Sequence, residues 1–153
     1  MPQSVTTESD RAAGFANRRR RPCRLVGDIL PKWNEPAIRV LMMPRDTNAH
    51  GTIFGGVILS YIDQAGAIEA RRQGLQFMVT VSMDRVVFHE PVYVGDLVSF
   101  WTETLRIGTT SITTKVTVEA IRTANPDKRV MVTEAQVVYV NLGEDRKPKP
   151  IGA

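Results

Sequence analysis

Apolar residues at positions 54, 57, 58, 61, 62, 65 and 68 recur at intervals of three and four, the spacing that gathers side chains on one broad face of an α-helix. The pattern predicts a helix over residues 54–72, with Gln73-Gly74 as its C-terminal stop signal. Ahead of it, residues 37–43 (Ala-Ile-Arg-Val-Leu-Met-Met) read as a first strand ended by Pro44. From Phe77 onward the period changes to two. Phe77, Val79, Val81 and Met83 alternate on odd positions, and the phase then moves to Val86 and Phe88. That shift predicts a bulge or sharp bend around Asp84-Arg85. Pro91 and the Val94-Gly95-Asp96 turn lead into a long strand over 97–106. After Gly108, the residues Ile112, Thr114, Val116, Val118 and Ala120 alternate with polar ones. Residues 124–128 (Ala-Asn-Pro-Asp-Lys) read as a turn cluster. Residues 130–142 close the sheet, with Ala135, Val137 and Tyr139 on one face, and the remainder is polar and rich in Pro and Lys.

One long apolar helix followed by at least four long antiparallel strands is an α+β pattern. A helix that is apolar around most of its circumference buries that surface only if a curved sheet wraps it. A long sheet in a small domain leaves a strand edge open, so edge-to-edge pairing in a dimer is expected. The chain divides into a basic N-terminal tail and linker (1–34), a folded domain (35–145) and a basic C-terminal tail (146–153).

Charge changes this picture only by its location. Residues 1–34 hold seven Lys/Arg and three acids, which accounts for the whole net charge of +4, and the remaining residues hold thirteen of each sign. The folded part is neutral, so no nucleic-acid face is expected on it. The tail's Arg18–Arg21 run reads as a solvated segment. Glu8 and Asp10 argue against an organellar transit peptide, and no apolar core for a secretory signal is present. No apolar run approaches the roughly 20 residues that span a bilayer, so no membrane insertion is expected. The one cysteine, Cys23, lies in the basic tail, excluding a disulfide framework and pointing to a reducing, cytoplasmic setting. Two isolated histidines, His50 and His89, with no cysteine partners make a metal site unexpected.

The chemistry centres on residues 46–66, Asp-Thr-Asn-Ala-His-Gly-Thr-Ile-Phe-Gly-Gly-Val-Ile-Leu-Ser-Tyr-Ile-Asp-Gln-Ala-Gly. A turn-prone loop passes through Phe54-Gly55-Gly56 into the helix, which carries one carboxylate, Asp63, in its middle. Its neighbours on that face, Leu59, Ser60, Gly66, Ala67 and Ala70, are mostly small. A carboxylate there is costly to bury without a partner. Either Asp63 faces solvent or a partner elsewhere in the fold, or it sits at the bottom of a pocket with Asn48 and the Gly55-Gly56 backbone nearby. Glycines at a helix N-terminus expose N–H donors and partial positive charge, which suits a developing oxyanion.

These residues resemble a known family. Asp46-Thr-Asn-Ala-His-Gly-Thr-Ile-Phe-Gly-Gly56 followed by Asp63 is similar to the signature of hotdog-fold acyl-CoA thioesterases, the YciA-like group related to the brain acyl-CoA hydrolases. The likeness continues through residues 80–96, Gly108-Thr-Thr-Ser111 and residues 143–151, and covers roughly 37–151. The resemblance implies the hotdog fold and hydrolysis of fatty acyl-CoA to free acid and CoA, with no covalent Ser or Cys and no cofactor besides the CoA of the substrate. It implies Asp63 as general base or nucleophile, Asn48 contributed by the opposing subunit, and the amide of Gly55 or Gly56 on the thioester oxygen, with Gly56 the catalytic choice. Substrate contacts are expected at His50, Gly51, Phe54, Gly55, Phe88, Thr110, Ser111 and Lys147. Arg71, Arg72, Arg146 and Lys149 are further candidates for the CoA phosphates. It also implies a homodimer with shared sites, assembled into a trimer of dimers. His50 departs from the pattern, which has Asn at that position in close bacterial relatives.

Two other readings start from the same residues. Hotdog hydratases and dehydratases pair a histidine before the helix with a carboxylate on it across a dimer, as His50 and Asp63 would, although in a different loop context. A non-catalytic acyl-CoA-binding module is the other; as a DNA-linked sensor it would need a helix-turn-helix pattern, which is missing from the tail. No Gly-x-Ser-x-Gly elbow or phosphate-binding Gly-rich Lys loop occurs in the chain.

Overall fold

A computed structural model describes residues 34–152; the basic N-terminal segment, Cys23 included, lies outside the described residues. The order of elements is β1 (Ile38–Leu41), a single 3₁₀ turn (Pro44–Asp46), α1 (Gly55–Arg72), β2 (Met78–Asp84), β3 (Leu97–Ile107), β4 (Ser111–Arg122) and β5 (Asn125–Asn141). All five strands form one antiparallel sheet in the order β1-β3-β4-β5-β2. The sheet curls around α1. This is the α+β hotdog arrangement that the periodicities predict.

The core lies between the concave face of the sheet and one side of the helix. Val98 and Phe100 from β3, Ile112, Val116, Val118 and Ala120 from β4, and Val132, Ala135, Val137 and Tyr139 from β5 are fully buried there. The helix answers with Ile58, Ile62, Ala65, Gly66, Glu69 and Ala70. Its buried stripe is therefore rotated from the one that apolar spacing suggests, because Gly66 and Ala70 permit close approach of the sheet whereas Phe54 is exposed. Buried Glu69 is satisfied by the hydroxyls of Thr102 and Thr104 on β3, at 3.2 and 2.8 Å, and by Arg72 at 3.5 Å. The last turn carries Arg71 and Arg72, which complement the negative end of the helix dipole.

One local expectation is met and two are corrected. The chain turns sharply at Asp84-Arg85 as expected, β2 ending at Asp84 and Arg85 taking φ 60°, while a bulge lies earlier in the strand, between Thr80 and Ser82. Met78 and Thr80 face the helix ahead of the bulge, and the bulge brings Met83 onto the same side, while Phe77, Val79 and Val81 are exposed. Residues 125–128 belong to β5, with the turn proper at Thr123-Ala124 and the extra residues absorbed as a register shift opposite Ile121-Arg122. The segment after β5 is tied to the domain: Ile151 is buried, its N–H donates to Thr109 O at 2.8 Å, and Lys149 N–H donates to Asn141 O at 2.9 Å. Backbone pairing captures this stretch despite its polar composition.

The β2–β3 connection is long and lacks regular structure, yet it is firmly held. Arg122 at the end of β4 donates to Asp96 Oδ2 at 2.6 Å and to Pro91 O at 2.7 Å, pairs with Glu90 at 3.3 Å, and stacks over the Tyr93 ring at 5.1 Å. Asp96 in turn accepts from Tyr93 N–H at 3.0 Å. One buried ion pair thus shapes the loop that carries Phe88 to Val92 past the start of α1.

Candidate active site

Asp63 sits two turns into α1, half-buried at the border of its packed stripe. Its Oδ1 accepts from Thr80 Oγ1 of β2 at 2.7 Å and lies 3.3 Å from the Tyr139 hydroxyl of β5. The same hydroxyl donates to the main-chain carbonyl of Asp63 at 2.6 Å. Thr80 and Tyr139 are cross-strand partners in the β2–β5 ladder, so two neighbouring side chains on the concave face reach the same helical residue. Among the described residues Oδ2 makes no hydrogen bond. The carboxylate is therefore held by one oxygen and presents the other.

The space beside Asp63 at Gly66 is taken by protein side chains. A Cβ at position 66 would collide with the Tyr139 hydroxyl and come 2.9 Å from Thr114 Oγ1. Glycine in mid-helix costs about 1 kcal/mol relative to alanine, and here that loss is exchanged for contact between helix and sheet. Burial, followed by the negative charge of Asp63 and its hydrogen bond, pushes the Tyr139 phenol far above its usual pKa. It stays a protonated donor.

The loop before α1 is built by Asn48. Its Oδ1 accepts from His50 N–H at 2.8 Å and Thr52 N–H at 3.3 Å, and its Nδ2 donates to Thr52 Oγ1 at 2.8 Å. Gly51 takes φ +80°, completing the turn. His50 is exposed, and its main-chain N–H is taken by Asn48. Phe54 precedes the helix without a side-chain cap, and no acidic residue occupies the first turn. The N–H groups at Gly55 and Gly56 therefore lack a side-chain acceptor of the usual kind. A Cβ on Gly56 would lie 2.5 Å from the Phe54 ring, so that glycine seats the phenylalanine. A Cβ on Gly55 would meet the Phe88 ring at 3.6 Å, an ordinary contact.

Gly55 and Phe88, with Thr52, Ile58, Pro91 and Val92, line a cavity of about 330 Å³ at the N-terminal end of the helix. Thr110, Ser111 and Lys147 are grouped at the other end. Asn141 N–H donates to Thr110 O at 2.8 Å, and Gly143 N–H donates to Lys147 O at 2.9 Å. The helix between is 18 residues long, which is about 27 Å at 1.5 Å per residue. Gly56 and Asp63 are seven residues apart, about 10 Å along the same axis. One chain thus holds three separate parts: a donor-rich loop and helix start, a carboxylate, and a corner carrying Lys147, whose ammonium lies 3.9 Å from Asp145.

Thr80 and Tyr139 are the residues that sequence reading misses. Thr80 looks like a strand hydroxyl among many, and only the β2–β5 register brings it to a carboxylate 17 positions earlier. Among the described residues no group of three or more His, Cys, Asp or Glu is arranged to hold a metal ion, and no helix is long and apolar enough to cross a membrane.

Comparison with known proteins adds a family match. Residues 50–126 match the model of the thioesterase superfamily. The chain is 40% identical over 119 residues to the acyl-CoA thioester hydrolase YciA of Salmonella typhimurium, covering 76% of this chain and 90% of that protein. A hexameric hotdog fold thioesterase of Campylobacter jejuni superposes with a TM-score of 0.72 at 45% identity, over 78% of this chain and 91% of that one. A hexameric thioesterase from Yersinia pestis gives 0.73 at 38% identity, over 81% and 99%.

Proposed function

The chain belongs to the thioesterase superfamily, and from that premise we propose that it hydrolyses fatty acyl-CoA thioesters to the free acid and CoA, with Asp63 as the reacting carboxylate. The observation that carries this reading is the one-sided grip on Asp63, Thr80 at 2.7 Å on Oδ1 with Oδ2 left open. Hydrolysis needs an activated water and donors aimed at the carbonyl oxygen where charge develops. In the proposed step Oδ2 takes a proton from water as the water oxygen bonds to the thioester carbon. The carbonyl oxygen becomes an oxyanion facing the Gly56 N–H. Collapse of the tetrahedral intermediate breaks the C–S bond, and the thiolate of CoA leaves with a proton returned from Asp63. General-base help of this kind contributes about 10²–10⁴-fold, and one oxyanion donor about 3–4 kcal/mol. Neither a metal nor a further cofactor enters the chemistry.

A shared site follows from the separation of its parts. Gly56 and Asp63 of one helix cannot address the same carbonyl across about 10 Å, so we assign the loop with Asn48 and the helix start to one protomer and Asp63 to its partner. The β2 edge supports the pairing. It has no neighbour in the sheet and exposes Phe77, Val79 and Val81, a surface that antiparallel pairing with a second copy would cover. A two-fold axis at β2 sets the N-terminal end of one helix beside the C-terminal end of the other. It thereby brings the Gly55–Phe88 cavity of one protomer towards Thr110, Ser111 and Lys147 of its partner. We assign the acyl chain to the cavity lined by Gly55, Ile58 and Phe88, with Phe54 beside it at the helix start, the pantetheine to the loop of His50 and Gly51, and the CoA phosphates to the corner carrying Lys147. Three such dimers would form a hexamer, the state of the Campylobacter and Yersinia relatives. The lone cysteine is compatible with a reducing cytoplasmic setting.

The direct test is thiol release from a series of acyl-CoAs from acetyl to palmitoyl, which also gives the chain-length preference. Crotonyl-CoA separates the hydration alternative: loss of enoyl absorbance without free thiol would replace the thioesterase reading with that one.

A further inference from the structure

Resting on the reading of Asp63 as the reacting carboxylate, we propose that Tyr139 is a positioning residue for it, seated by the absence of a side chain at Gly66. The Tyr139 ring is buried in the core, and its hydroxyl points out of the sheet at the middle of α1. A phenol has one proton to give. At 2.6 Å that proton goes to the Asp63 carbonyl, and the 3.3 Å approach to Oδ1 is the secondary contact. A mid-helix carbonyl already accepts from the N–H four residues on, so it does not need a second donor for its own sake. What the extra bond fixes is the distance from β5 to the helical turn carrying Asp63. The next strand completes the grip. Thr80, directly across the ladder from Tyr139, holds the side-chain oxygen at 2.7 Å. One residue is thus pinned by its backbone from β5 and by its side chain from β2.

Gly66 shows that the sequence is shaped around this contact. It lies one turn beyond Asp63 on the same face, where any Cβ would displace the Tyr139 hydroxyl and crowd Thr114 Oγ1 at 2.9 Å. Burial keeps the phenol protonated well into the alkaline range, so the donor is constant at every pH where the enzyme would be assayed. The consequence is functional because the reacting carboxylate is not at the end of a flexible stem. Its direction is set by where the helix sits, and a displacement of about 1 Å at such a group costs on the order of 10²-fold in rate.

The test is steady-state hydrolysis of one acyl-CoA by the full-length wild type, Tyr139→Phe, Gly66→Ala and the double variant, each checked for oligomeric size and thermal midpoint. Tyr139→Phe keeps the ring and removes only the hydroxyl. We expect kcat to fall about 10–100-fold with KM within about twofold. Gly66→Ala should show the same split, because it pushes the hydroxyl off its acceptor. In the double variant the two losses should not multiply, since both act through one contact. A lower thermal midpoint with unchanged kcat in Tyr139→Phe would reduce the residue to packing and overturn the proposal, as would strictly multiplicative losses. Should Tyr139→Phe fail to assemble, the kcat-against-KM split of Gly66→Ala decides alone. Absence of hydrolysis by the wild type would refute the thioesterase reading itself, whereas hydrolysis unaffected by these variants would refute only this inference.

Discussion

Replacing Asp63 by asparagine separates chemistry from structure most sharply. The amide keeps an oxygen where Oδ1 stands, so Thr80 retains its 2.7 Å acceptor. The new NH₂ group falls where Oδ2 makes no hydrogen bond among the described residues, at a half-buried position that water can reach. The structural loss is the difference between a charge-assisted and a neutral hydrogen bond, about 1 kcal/mol or less. The catalytic loss is the whole contribution of the carboxylate, about 10²–10⁴ in kcat, which corresponds to about 3–5 kcal/mol of transition-state stabilisation at 1.36 kcal/mol per decade. Thr80→Val leaves the carboxylate in place but removes its hold, and a fall of about 10-fold is expected. Combined with Asp63→Asn it should cost little more, because it acts through the group already lost. The assay is thiol release at saturating acyl-CoA, with the thermal midpoint measured on the same samples. An Asp63→Asn protein that is folded and retains more than about a tenth of wild-type kcat would refute the assignment of this carboxylate.

Further outcomes follow from other parts of the structure. A single turnover in ¹⁸O-labelled water should place one label in the product acid if Asp63 activates water; label in the Asp63 carboxyl instead would make it the nucleophile. Arg122→Ala leaves Asp96 buried beside an empty space, with its 2.6 Å partner gone, and should destabilise the domain by about 3 kcal/mol in denaturant unfolding. The same substitution frees the loop of Phe88 to Val92, so the KM for long acyl chains should rise more than that for acetyl-CoA. Val81→Lys on the β2 edge should leave the thermal stability of the protomer nearly unchanged while abolishing assembly in light scattering and activity with it; an active monomer would refute the shared site. The raised pKa of Tyr139 means that the folded state holds its proton more tightly than the unfolded chain. Its contribution is complete below the unfolded value of about 10 and is lost as the pH rises above that. Stability measured from pH 8 to 11.5 should fall at the alkaline end in the wild type, and this limb should flatten in Tyr139→Phe.

The helix and the long strands are legible in the chain because their signal is local. Apolar residues at 57, 58, 61, 62 and 65 can share a face only in a helix, and Ile112 to Ala120 can do so only in a strand. Asp63 stands out for the same reason, as a carboxylate that the helical pattern does not ask for. The misreadings have the opposite origin. Phe77, Val79 and Val81 alternate like core residues, yet in β2 the face turned to the helix is that of Met78 and Thr80, so all three are exposed on the edge strand. Residues 125–128 carry turn chemistry but are drawn into β5 by the pairing of Arg122 with Asn125. Ile151 is buried because backbone bonds to Thr109 and Asn141 fold a polar segment back.

What the sequence determined by itself was therefore the set of elements and the place of Asp63 among small residues in the middle of the helix, since both are written in spacings of a few residues. Tertiary structure alone decided which face of the helix is buried, which hydroxyls reach Asp63, and that a cavity forms at the start of the helix. Thr80 and Tyr139 are 17 and 76 residues from the group they hold. Strand register fixes such distances, and register is settled by the collective burial of the whole sheet rather than by any short stretch within it.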